Sequence, residues 1–107
     1  MTAGPYSIGS GHWPGLAKAA EECGEVIQAC GKLIAANGEG RHWDGSDLRV
    51  RLEDEVADAQ AAFRFVIERN DLDAARILER SEAKLALFRG WHAEHADGTA
   101  LPAGSGS

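Results

Sequence analysis

The chain has 107 residues, with 11 Lys+Arg against 17 Asp+Glu, a net charge of −6 and a pI near 5.1. That length suits one domain with a modest core. The acidic balance argues against a nucleic-acid backbone as partner, and no apolar run approaches the roughly 20 residues of a membrane helix. Met1 to Ser10 have neither the basic start nor the apolar stretch of a signal peptide, so a cytoplasmic protein is expected.

In chain order, residues 1–11 and 97–107 are Gly-rich and read as flexible tails around a domain at 12–96. The first helix is predicted to open at Pro14, suited to a first turn, and to stop at Asn37-Gly38. Its apolar arc is Leu16, Ala20, Cys23, Ile27, Cys30 and Ile34, with Val26 and Leu33 on one shoulder. Gly24 and Gly31 form a small-residue strip on the other shoulder, which suggests close approach of another backbone. Cys23 and Cys30 lie two turns apart, about 10.5 Å along the helix. That is too far for a disulfide, and buried free thiols are expected.

The connector 37–46 places Arg41, His42 and Trp43 together in a Gly-rich frame. Trp43 can stack on a nucleobase while the cations meet phosphate, or it can simply pack the loop onto the helices. A second helix follows the cap residues Ser46-Asp47 and runs from Leu48 to about Arg69. Its arc is Leu48, Leu52, Val56, Ala59, Ala62, Phe63 and Val66. A third helix starts after Asn70-Asp71 and reaches Trp91 or His92, with a possible break at Arg80-Ser81. Its arc is Ala74, Ile77, Leu78, Ser81, Leu85 and Phe88. The fold expected is all-α, an antiparallel bundle of three to four helices per chain. Three amphipathic helices make a thin core, which points to completion by a homodimer or homotetramer.

The chemistry lies in the carboxylates. Glu21, Glu22 and Glu25 project from neighbouring positions of the first helix, where a solvated acidic face would explain them. Glu55 falls inside the second helix's apolar arc, with Asp58 at its margin. A carboxylate facing a core needs a cation or a salt-bridge partner. By direction none of Arg51, Arg64 and Arg69 points with Glu55, so an ion pair would need Lys84 or an arginine of another helix. Alternatively, the i, i+3 pairs of two facing helices can surround a hard divalent ion such as Mg²⁺. His92 and His95 share a helix face but lack a third ligand.

LAKAAEECGEVIQAC, followed by LEDEVADAQAAF, resembles the MazG-type nucleotide pyrophosphohydrolases of the all-α NTP pyrophosphatase superfamily. Their EExxE and ExxD motifs read here as Glu21, Glu22, Glu25 and then Glu55, Asp58, with a longer step between them. The resemblance implies Mg²⁺-dependent, or Mn²⁺-dependent, hydrolysis of a nucleoside triphosphate to the monophosphate and pyrophosphate. It implies Glu22, Glu25, Glu55 and Asp58 as metal ligands and Glu21 as general base, a role exchangeable with Glu22. Lys84 is implied as a catalytic cation and Asn70 as a substrate contact; Arg41 and Trp43 are substrate-contact candidates from the connector's own residues. The alternatives are a phosphoribosyl-ATP pyrophosphatase of the same superfamily, or a non-catalytic helical oligomerisation or binding module.

Overall fold

The computed structural model describes residues 4–40 and 45–96; the expectations for Arg41, Trp43 and the tail 97–107 lie outside them. The described residues hold three α-helices and no strand: α1 (Leu16–Ala35), α2 (Leu48–Arg69) and α3 (Ala74–His95). The chain divides into two units, one ending at Leu72 and one beginning at Asp73.

In the first unit α1 and α2 pack as an antiparallel hairpin. The start of α1 meets the end of α2, where the Asn70 amide donates to Pro14 O at 3.1 Å and Gly15 lies against Phe65 and Val66. Buried residues are Glu22 and Ala29 of α1, with Leu48, Ala59, Ala62 and Val66 of α2. Alanines at this seam let the two backbones come close, so few side chains are needed to exclude water.

Helix ends follow local chemistry. Asp47 caps α2, its carboxylate accepting from Arg49 N at 3.0 Å and Val50 N at 3.1 Å. Asn37 (φ 55°) and Gly38 (φ 81°) turn the chain out of α1, with Gly38 N donating to Leu33 O. The start of α1 differs from the expectation, at Leu16 instead of Pro14. Gly15 N donates to Ser7 O and Ala17 N to Tyr6 O, so the preceding segment folds back and caps the helix itself. Residues 4–11 are therefore hydrogen-bonded turns, with Tyr6 N also donating to His12 O.

The apolar arc of α1 is not the face that α2 covers. Ile27 is 70% and Ile34 76% exposed, and Cys30 is exposed instead of buried. A helical wheel locates the most apolar direction but not the neighbour's position. The Ala-lined seam lies to one side of that direction. Val56 and Phe63 of α2 are likewise exposed, and border with Cys23, Val26 and Ile27 an apolar groove of about 450 Å³. Gly24 and Gly31 have open space where a Cβ would stand, so α2 does not make the close approach at this strip that the glycines suggest.

The second unit is α3, capped by Asp73, which accepts from Arg76 N at 2.9 Å. The expected cap, Asn70-Asp71, instead closes α2 and turns the chain, with Asp71 at φ 52°. The helix is continuous through Arg80-Ser81, where the Ser81 hydroxyl donates back to Leu78 O. None of its residues is buried; Ile77, Leu78, Leu85 and Phe88 are all exposed.

Gly15 sits at φ 86°, and a Cβ there would stand 2.6 Å from Phe65 Cδ1. Gly15→Ala is therefore expected to destabilise the fold by about 1–3 kcal/mol. Gly24→Ala, in open space within a helix, should stabilise it by up to about 1 kcal/mol. Urea titrations of the two variants check both signs.

Candidate metal and substrate site

The antiparallel register sets Glu22, in the second turn of α1, against Glu55 and Asp58, one turn apart on α2. Each offers a carboxylate oxygen within 4.8 Å of the others. Glu22 is buried at 8% exposure, Glu55 is half-buried and Asp58 is exposed. Octahedral Mg²⁺ holds oxygens at about 2.1 Å, which puts trans ligands about 4.2 Å apart; the larger Ca²⁺ allows about 5 Å. Three oxygens on one octahedral ion include at most one trans pair and otherwise sit about 3 Å apart, so these carboxylates could share a divalent ion once they draw together. The donor set is all oxygen, which matches a hard cation.

Of the other acids, Glu25 is half-buried and outside this trio, and Glu21 has 61% of its side chain exposed. Positive charge comes from a residue that the sequence reasoning passed over. Lys18 Nζ lies 3.1 Å from Glu22 Oε1 and 3.4 Å from Glu21 Oε1. These bonds, to Glu22 first, raise the Lys18 ammonium above its ordinary pKa. The signal was present in the sequence as the i, i+4 spacing of Lys18 and Glu22.

Glu55 is pushed above the usual carboxylate pKa, chiefly by burial and then by repulsion from Glu25, with smaller contributions from Asp58 and Glu22. Arg51, on the same helix, opposes the shift through its charge, with no ion pair between the two among the described residues. The Arg51 Nε itself has no hydrogen-bond partner among the described residues.

Beside Glu22 and Asp58 opens a hollow of about 470 Å³, lined also by Lys18, Ile8, Ala62 and Phe65. Ile8 and Phe65 were not singled out from sequence, because a loop residue and an arc-margin aromatic carry no functional signature alone. Asn70 is the C-cap of α2, its amide donating to Val66 O and Pro14 O, so its side chain ties the loop to the helix. Lys84 is an exposed residue of α3, in the second unit.

The raised Glu55 pKa fixes the sign of a pH effect. Folding binds its proton more tightly, so in metal-free protein stability falls as pH rises from the ordinary value of 4.5 through the raised one. Glu55→Gln lacks this loss. In chelator, the melting temperature of the variant minus that of wild type should increase from about pH 4 to about pH 7.5. Excess Mg²⁺ should stabilise wild type at the higher pH and leave the variant nearly unmoved. Thermal melts across pH, with chelator or with Mg²⁺, read both effects.

Comparison with known proteins gives no matching family model, no matching curated protein and no matching solved structure.

Proposed function

We propose that the chain is a Mg²⁺-dependent nucleoside triphosphate pyrophosphohydrolase of the MazG-like kind. The observation that carries this reading is the meeting of Glu22 with Glu55 and Asp58 at one seam, beside an open hollow. One acid of the EExxE motif, Glu22, meets both acids of the ExxD motif, Glu55 and Asp58, across the two helices, which is the part of a shared metal site that supports this reading. In this reading Glu22, Glu55 and Asp58 hold the ion, with Glu25 next to them. A bound Mg²⁺ supplies charge neutralisation at the phosphate oxygens.

The chain's own groups do the rest. Glu21, one residue from Glu22, accepts the proton of a water whose oxygen forms the new bond to the α-phosphorus. The bond from that phosphorus to the bridging oxygen breaks, and its electron pair leaves with pyrophosphate. Lys18, at the edge of the hollow, offers its ammonium to the phosphates. Lys84 and Asn70 keep the roles that the resemblance implies, and Arg41 and Trp43 the phosphate and base contacts that the connector's own residues suggest, as proposals.

Incubating the protein with a panel of nucleoside triphosphates and Mg²⁺ or Mn²⁺ should release pyrophosphate and monophosphate, with no activity in excess chelator. Glu55→Gln should lower the rate by orders of magnitude. Orthophosphate as first product refutes the mechanism. Turnover of phosphoribosyl-ATP alone moves the protein to the other branch of the superfamily. A protein that hydrolyses none of these is read instead as a binding module, for which the Lys18–Glu22 ion pair already supplies compensation of the buried carboxylate.

The same reading makes the chain a homo-oligomer, supported by the uncovered Ile27, Ile34, Val56 and Phe63 on one side of the hairpin. Light scattering at micromolar concentration should give a mass at least twice the 11.4 kDa of one chain. Ile27→Glu, on the rim of the apolar groove, should shift that mass toward the monomer.

A further inference from the structure

The hollow beside the acids has a neighbour across Ile8 and Phe65. A second hollow of about 380 Å³ shares Ile8 and Phe65 with it and continues to Pro14 and Arg69. A third, of about 530 Å³, shares Pro14 and Arg69 and reaches His12, Trp13 and Asn70. Each shares lining residues with the next, so the three line up as a trough of separate hollows between the loop before α1 and the C-terminal half of α2, and each is of the size that holds a small organic ligand.

Its character changes along its length. At one end stand Glu22, Asp58 and Lys18; the middle is Ile8, Ala62 and the ring of Phe65; the far end carries Arg69, His12 and Trp13. The Arg69 guanidinium lies 5.7 Å from the Phe65 ring centroid, so charge and aromatic surface adjoin. The loop wall is held in place by the Asn70–Pro14 hydrogen bond and by Gly15 packing on Phe65. Tyr6 and Trp13 both adopt the left-handed backbone region, at φ 67° and 49°, which non-glycine residues enter at a cost. Trp13 and Ile8 are nevertheless left 45% and 56% exposed, so their side chains are presented to the surface and not spent in the core.

We propose that this trough is the nucleoside subsite: phosphates lie at the acidic end by Lys18, while sugar and base run along Ile8 and Phe65 toward Arg69 and Trp13. The assignment rests on the pyrophosphohydrolase reading and names the part of the protein that selects the substrate. An inorganic polyphosphate has no use for an apolar floor, whereas a base has a flat face to lay on one and edge groups for Arg69 to bond. The loop 4–15 is then the specificity element.

Ile8→Ser and Trp13→Ala change exposed side chains and leave the helix seam intact, which circular dichroism can verify. The probes are a nucleoside triphosphate analogue with a methylene between the α- and β-phosphorus, and inorganic triphosphate, each titrated calorimetrically with Mg²⁺. Each variant should lose about tenfold or more of the wild-type preference for the analogue over inorganic triphosphate. An unchanged preference in both variants, or a wild type that does not bind the analogue, overturns the subsite. Hydrolysis of a nucleoside triphosphate is assayed separately. Hydrolysis whose KM neither variant alters overturns the subsite and keeps the hydrolase. Weakened analogue binding in the variants, with no hydrolysis by wild type, supports the subsite and overturns the hydrolase.

Discussion

A carboxylate at a helix–helix seam must be met by positive charge, and the buried Glu22 imposes that demand on this molecule. The seam is narrow because alanines line it, and Glu22 lies where that seam borders the open hollow. Lys18 answers from one turn away, holding Glu22 and Glu21 together. Glu55 then stands close to the same seam with its own charge disfavoured. Lys18 and Arg51 face several carboxylates, and the proposed metal site rests on this imbalance.

The hairpin thereby acquires two unlike sides. One carries the acids, Lys18 and the folded-back loop, which Gly15 and Asn70 fasten to the end of α2. The other carries Cys23, Ile27, Val56 and Phe63, apolar and open. The polar side suits a charged small molecule and the apolar side suits another protein surface. Under the proposed function, a loop fastened close to the acids would let substrate preference change without disturbing them.

Much of the local structure was legible. Asp47 caps α2 because its short carboxylate reaches the free amides of the first turn, and Asn37-Gly38 ends α1 because both tolerate a positive φ. The i, i+3 spacing of Glu55 and Asp58 already placed both on one side of α2. Less legible was the start of α1. Pro14 favours a first turn, but the long return of Ser7 and Tyr6 onto Gly15 and Ala17 satisfies the same amides from outside the helix.

Sequence by itself determined the helices, their caps and the acids that each helix offers, since these depend on neighbours within a few residues. It could not determine which side of α1 would face α2. The apolar moment points toward Ile27 and Ile34, but close approach requires small side chains, and those lie along Ala29, Ala59 and Ala62. Tertiary packing chose the small-residue seam, and in doing so it buried Glu22, brought Glu55 and Asp58 against it, drew Lys18 into the cluster and left Ile27 and Ile34 of α1 on the surface.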